Sequence, residues 1–272
     1  ALQAAQTLRL PVTSDFRTNF HSYCQHYGVG WLSKPIVAYL RKFHNRTAFT
    51  MVPTQSMKYQ LEALGFNNLK VVARGIETHI FHPENRNDAL RKSWGASPET
   101  IVLLSVGRLA AEKNLDLTLQ AYQALMAAGR PVKMVFAGDG PMRATLEIKC
   151  PDAIFAGMCT HEQLAKLYAS ADLLLFPSLT ETFGNVTLEA LSSGTPVLAF
   201  DCAAAGEFIT DKKNGWLVNS DDAKAYINRA LDITRDKETL IKARAFTRSS
   251  IKHLAWDEIA AQAESIFQRA IE

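Results

Sequence analysis

"IVLLSVGRLAAEKNLDLTLQAYQALMAAGRPVKMVFAGDG" (Ile101–Gly140) holds a complete strand–helix–strand signal. The run IVLLSV is apolar almost throughout and does not alternate, which is the pattern of a strand buried on both faces of a parallel sheet. LDLTLQAYQALMAAG has apolar residues at helical spacing and closes on Gly129, a residue suited to the left-handed backbone just past a helix end. VKMVFAGDG is then a second buried strand running into a glycine turn. Two such strands joined by a helix make a parallel βα unit.

The alternation continues downstream. AIFAG, DLLLFPS, PVLAF and GWLV have the character of strands, and HEQLAKLYASA and VTLEALSSG that of the helices between them. DDAKAYINRALDI, KETLIKARAF and AWDEIAAQAESIFQRAI follow as surface helices. Residues 81–250 are thus expected to form one complete doubly wound domain, with 251–272 a final helix crossing back to the first domain. Upstream, PVTSDF, AFTMVP and LKVVARG are three further strand candidates, separated by the helices KPIVAYLRKFHNR and SMKYQLEALG. Residues 1–80 are expected to form the back part of an N-terminal Rossmann-like domain, shorter than the roughly 100–150 residues usual for a domain. Its front half is expected to lie outside this chain. IETHIFHPENRN, with Pro83 and weak periodicity, is the linker candidate.

Composition excludes several classes. With 272 residues, 47% hydrophobic and 21% charged, the chain is an ordinary globular protein, neither disordered nor collagenous. A net charge of +3 without a clustered basic face argues against nucleic acid as a partner. Cys24, Cys150, Cys159 and Cys202 form no C-x-x-C pair, so neither a zinc site nor a secreted disulfide framework is expected. No apolar run approaches the roughly 18 residues of a membrane span. The expected setting is the cytoplasm.

In an open parallel sheet, ligands collect beyond the carboxyl ends of the strands, so the loops there should carry the chemistry. After IVLLSVG the loop GRLAAEKN brings Arg108 and Lys113, able to clamp a diphosphate as a planar fork and a point charge. After DLLLFPS comes LTETFGN, where Gly184-Asn185 opens a helix whose N-terminus favours the same anion. Glu189, about one turn into that helix, can accept hydrogen bonds from a ribose diol. Glu181, before the turn, can reach hydroxyls at the other end. Ribose, diphosphate and hexose in that order describe a nucleotide sugar.

Each feature alone has a plainer explanation. Arg108 and Lys113 would be a solvated loop, Glu189 a surface helix residue, Asp139 in GDGP a turn former, and His161 and Glu162 merely the start of a helix. KPIVAYLRKFHNR sets Lys34, Arg41, Lys42 and Arg46 beside Ile36, Val37, Leu40 and Phe43. It is more simply a solvated helix packed on its domain than a contact with an anionic membrane. A Rossmann-type dehydrogenase is disfavoured, because neither GRLAAEKN nor GDGPMR provides G-x-G-x-x-G.

The whole ordered set is more specific than its parts. ETFGNVTLEALSSGTPVLA downstream of VGRLAAEKN, with VARGIETHIFHP, VFAGDGP and AGMCTHEQLAKLYASADLLLFPS, resembles the retaining GT-B glycosyltransferases of group 1. The likeness is strong from Val71 to Val218, and TETFGNVTLEA with DCAAAGEFI is most similar to the glycolipid mannosyltransferase and sulfoquinovosyltransferase branch. The resemblance implies an α/β GT-B fold of two Rossmann-like domains. It also implies transfer of a hexosyl group, mannosyl first, from a GDP- or UDP-hexose donor to a lipid or glycan acceptor, with no metal and no cofactor. By that likeness Arg108 and Lys113 hold the diphosphate, with Gly107 beside them; Glu189 holds the ribose and Glu181 meets the donor sugar. The backbone of Phe183, Gly184 and Asn185 contacts sugar and phosphate, and Gly157 and Met158 lie along the base. Where many members carry a catalytic-wall histidine, SDFRTNFHSY has Arg17, with His21 four residues on; these are the acceptor-side candidates. The alternative is a sugar-nucleotide-binding module without transferase activity in this truncated form, and the chain alone is expected to bind a nucleotide without transferring a glycosyl group. Peripheral attachment to the inner face of the membrane would follow from a lipid acceptor.

Overall fold

Parallel strands form in both units of the chain, fully buried at Ile101–Val106, Leu173–Phe176 and Val197–Phe200 but only partly covered at Thr13–Asp15 and Leu69–Val71. The structure, a computed structural model, describes residues 2–17, 33–179 and 181–271. Contacts divide it into one unit of Ala1–Gly75, Thr180–Phe183 and Leu254–Glu272, and another of Ile76–Leu179 and Gly184–His253.

The first unit contains α1 (Leu2–Thr7), β1 (Thr13–Asp15), α2 (Ser33–His44), β2 (Phe49–Val52), α3 (Gln55–Ala63) and β3 (Leu69–Val71). The second runs through α4 (Asp88–Ser93), β4 (Ile101–Val106), α5 (Leu115–Ala127), β5 (Val132–Ala137), α6 (Arg143–Lys149), β6 (Ile154–Gly157) and α7 (His161–Ser170). It continues with β7 (Leu173–Phe176), α8 (Asn185–Ser192), β8 (Val197–Phe200), α9 (Ala203–Phe208), β9 (Gly215–Val218), α10 (Ala223–Ile233) and α11 (Lys237–Ser250). The chain then returns to the first unit as α12 (Trp256–Ile271).

In the first unit the three strands lie in the order β1-β2-β3, all parallel. Phe16, Val52, Met57, Leu61, Phe66 and Leu69 form its core, with Val37 and Leu40 of α2 packed against them. That face of α2 is therefore committed to its own unit, while Lys34, Arg41 and Lys42 stay exposed. The Trp256 ring of α12 lies so close to Gly75 that a Cβ there would sit 2.4 Å from it, so the last helix is keyed to this unit by a glycine.

The second unit has a six-stranded parallel sheet in the order β6-β5-β4-β7-β8-β9. Chain order reverses between β4 and β7, the topological switch at which such sheets leave a crevice at their carboxyl edge. Leu103, Met134, Phe136, Leu173 and Leu175 build its core with Tyr122 and Leu125 of α5 and Tyr226 of α10. The buried Tyr226 hydroxyl donates to the Leu198 carbonyl at 2.9 Å, the partner a buried phenol requires. Thr160 starts α7 with a capping box closed by Gln163, which satisfies two backbone N–H groups at the helix start. At the amino end of β7, the buried Asp172 carboxylate accepts from Arg91 Nη1 and from the Val102 amide, both at 2.8 Å.

One expectation is corrected here. IETHIFHPENRN is not a loose linker: its Phe81 is only 2% exposed, and its ring meets that of Tyr168 at 5.9 Å. The Phe81 carbonyl accepts from Ser192 Oγ at 2.7 Å and from Arg248 Nη1 at 3.3 Å. The polar residues that gave the segment a loop-like composition supply hydrogen bonds; Asn85 Nδ2, for example, donates to the Ile80 carbonyl at 2.7 Å.

Candidate functional site

Three successive strand ends are sewn together by backbone hydrogen bonds. The Gly107 amide donates to the Ala137 carbonyl at 3.0 Å, Gly138 to Gly157 at 2.8 Å, and Leu109 to Asp139 at 2.9 Å. Only glycine permits this approach at position 138. Its φ is +122°, and a Cβ would stand 2.0 Å from the Gly107 carbonyl oxygen; at Gly140 a Cβ would stand 2.5 Å from the Leu109 oxygen. The VGRL and AGDG turns thus pack backbone to backbone, and a cavity of about 520 Å3 opens over them. Gly107 and Arg108 line it on one side and Met158 on another, with Asp139, Cys159 and Leu164 completing the wall.

Arg108 is exposed, held only loosely by Glu112 at 3.8 Å, so its guanidinium remains available to an anion. Lys113 closes the short 3-10 helix Ala111–Lys113, and its ammonium lies 5.9 Å from the centre of the Phe176 ring. The same loop is tied to the end of β7 through Asn114 Nδ2, which donates to the Pro177 carbonyl at 3.2 Å. The switch between β4 and β7 is therefore bridged by the loop that carries both cations.

Gly184 precedes the first turn of α8 and Asn185 starts it, exposed. A helix N-terminus leaves backbone N–H groups without intrahelical partners and carries positive potential, which suits a phosphate. Further along α8, Glu189 is half-buried and its Oε2 accepts from the Tyr168 hydroxyl at 2.8 Å. Burial pushes the Glu189 carboxyl above its ordinary value, while the Tyr168 hydrogen bond and His161 pull it back and Glu77 pushes it up. Tyr168 is itself held well above the usual phenol range by burial and by Glu189, so it stays protonated and donates. His161 Nδ1 faces Glu77 Oε2 at 3.2 Å; the residue does more than begin a helix.

Other expected residues fall elsewhere. Glu181 and the buried Phe183 group with the first unit, whereas Gly184, Asn185 and Glu189 belong to the second. Arg17 pairs with Asp15 at 2.7 Å and donates to the Val72 carbonyl at 2.8 Å, both within the first unit. His21 lies outside the described residues. Among the described residues no group of three His, Cys, Asp or Glu side chains is placed to hold a metal ion. No helix among them is long and apolar enough to cross a membrane.

Leu164, Tyr168 and Glu77 are the residues that sequence reasoning passed over, and Asp139 and Cys159 were read there without a place in the site. Asp139, two residues beyond β5, is the turn former its sequence suggests, its Oδ1 accepting from the Gly140 amide at 2.7 Å and its Oδ2 from Arg143 at 3.0 Å, yet it also lines the cavity. Tyr168 sits among apolar helix positions, where a buried phenol implies a hidden acceptor but does not identify it.

Comparison with known proteins adds to this geometry. Residues 100–236 match the model of the family described as glycosyl transferases group 1. A GDP-mannose-dependent alpha-mannosyltransferase of Corynebacterium glutamicum is 30% identical over 259 residues, covering 95% of this chain and 62% of that protein. A sulfoquinovosyl transferase of Arabidopsis thaliana is 31% identical over 248 residues, 88% of this chain and 48% of its own length. The chain thus spans about half to three fifths of these relatives. Among solved structures, Anabaena HepE in complex with UDP superposes with a TM-score of 0.83 at 18% identity, over 98% of this chain and 75% of that one. At that identity the likeness concerns the fold alone, which is the α/β GT-B class with parallel sheets.

Proposed function

We propose that this chain, which belongs to the glycosyl transferases of group 1, binds a nucleotide sugar and serves the transfer of its hexosyl group, mannosyl first, to a lipid or glycan acceptor with retention at the anomeric carbon. The observation that carries this reading is the cavity of about 520 Å3 at the carboxyl ends of β4 to β6, walled by Gly107, Arg108 and Met158. The exposed Met158 and the half-buried turn at Gly157 suit a flat base, beside Asp139, which the Gly140 amide and Arg143 hold in place. Arg108, Lys113 and the N-terminus of α8 hold the diphosphate. The leaving group gains negative charge as the glycosidic bond breaks, so fixed cations and N–H dipoles stabilise the transition state more than the ground state. The acceptor hydroxyl attacks from the leaving-group side and a donor phosphate oxygen takes its proton, which needs neither a protein nucleophile nor a metal ion.

Glu189 accepts from the ribose diol and Glu181 from the transferred sugar, beside the backbone of Phe183, Gly184 and Asn185. Arg17 and His21 are proposed for the acceptor side. The mannosyltransferase of Corynebacterium glutamicum supports GDP-mannose and the HepE complex supports UDP, so both nucleotides belong in the assay. A lipid acceptor would place the protein at a membrane surface, with the exposed Lys34, Arg41 and Lys42 of α2 turned to anionic headgroups.

Calorimetric titration with GDP and UDP tests the division of labour. Glu189→Ala removes a charged acceptor from two hydroxyls and should weaken binding by about 1.5–3 kcal/mol, about tenfold to a hundredfold. Glu181→Ala should leave that affinity within about twofold and lower turnover instead. Equal losses of nucleotide affinity in the two variants would refute the assignment.

A further inference from the structure

We propose that Tyr168 is a positioning residue for nucleotide binding: its hydroxyl holds Glu189 Oε2 at 2.8 Å and so fixes an ionised carboxylate whose other oxygen receives the ribose hydroxyls. The inference rests on the reading of Glu189 as the ribose acceptor. Its ground is geometric. Tyr168 is fully buried in the last turn of α7, its ring lies against Phe81 at 5.9 Å, and its hydroxyl is spent on one carboxylate oxygen. A phenol locked in this way leaves the carboxylate one free rotation fewer and favours its charged form.

The need for such a device follows from where Glu189 sits. Half-buried on α8, the carboxyl is driven toward its neutral form by burial. From α7 it is faced by Tyr168 and His161, and from the segment before Pro83–Asn85 by Glu77, of which only Glu77 works against ionisation. Three further elements pack on α8, of which strand β8, Val197–Phe200, carries no ionisable side chain. Helix α11 sends Arg248 to the carbonyls of Phe81, Ser192 and Thr78, and Arg244 to those of Ala169 and Ala171. Helix α9 carries Glu207. The two arginines are therefore engaged with backbone, and Tyr168 is the neutral group that touches the carboxylate. A neutral carboxyl is a weaker acceptor for a diol than a carboxylate, so a change in Glu189's protonation is read directly in ribose affinity.

The test compares GDP and UDP with their 2′,3′-dideoxy forms, titrated from about pH 8 down toward the ordinary carboxyl value of 4.5, above which burial raises Glu189. The ratio of ribose to dideoxy affinity cancels the protonation of the diphosphate itself. In Tyr168→Phe, which removes one oxygen from a buried ring, the ratio should match wild type within about twofold at the alkaline end and fall about fivefold below it at the acid end. Glu189→Gln should give a low ratio that does not vary with pH, and it keeps an acceptor for the phenol should Tyr168→Phe fold poorly. A Tyr168→Phe ratio that tracks wild type at every pH, or equal losses for ribose and dideoxy ligands, would overturn the positioning role alone. If Glu189→Ala leaves the ratio at its wild-type value, the ribose assignment falls and the inference falls with it.

Discussion

Gly138→Ala is the substitution whose effect the structure specifies most closely. The added methyl would lie 2.0 Å from the Gly107 carbonyl oxygen and 2.9 Å from its carbon, backbone atoms that no side-chain rotation can move aside. The turn holding Gly107 and Arg108 must shift by about 1 Å to restore ordinary contact, an overpacking that costs about 1–3 kcal/mol. A further cost of about 1–2 kcal/mol comes from forcing alanine to φ +122°. Their sum is about 2–5 kcal/mol. For a unit of this size each kcal/mol lowers the melting temperature by about 2–4 °C, so a drop of about 10 °C is expected. Nucleotide affinity should fall at least tenfold at temperatures where the variant is still folded, because Gly107 and Arg108 line the cavity that the shift deforms. Gly129→Ala is the matched control: φ is +70° there, but nothing lies within 4 Å of the new methyl. It should cost about 1 kcal/mol, shift melting by about 2–4 °C and leave nucleotide binding alone. Differential scanning calorimetry and isothermal titration of both variants decide the matter. A Gly138→Ala protein with wild-type affinity, or one no less stable than Gly129→Ala, would show that the two turns do not meet as described.

Lys113→Ala should lower kcat/KM about a hundredfold in steady-state transfer assays while melting stays within about 2 °C, since the ammonium acts on developing phosphate charge rather than on the core. Transfer should persist in EDTA; activity lost to the chelator and restored by manganese or magnesium would refute the metal-independent mechanism. Glu189→Gln should melt higher than wild type near neutral pH without ligand. Because burial raises the folded Glu189 carboxyl above its ordinary value of 4.5, its stabilising contribution is present below that value and lost as pH rises through the folded one. The advantage of the amide should therefore disappear as thermal melts are carried down to about pH 4.5.

The sequence by itself determined the local order of this protein. Continuous apolar runs such as IVLLSV and VKMVFA can be stable only as strands covered on both faces, and helical spacing in LDLTLQAYQALMA places α5 between them, because both signals are complete within a few residues. The cations of GRLAAEKN and the glycine turn before Asn185 were legible for the same reason: each is a loop beyond a strand that can itself be recognised. What the tertiary structure alone decided depends on neighbours far apart in the chain. Strand β4 lies between β5 and β7, so the turn at Gly107 meets Gly138, and the loop carrying Lys113 is tied through Asn114 to Pro177, 63 residues away. Glu189 found its partner in Tyr168, 21 residues earlier on another helix, and Phe81 turned an apparent linker into part of the core beside it. Periodicity records which face of an element is covered, but not by what, since side-chain hydrogen bonds and ring contacts arise only when the strand order brings those faces together.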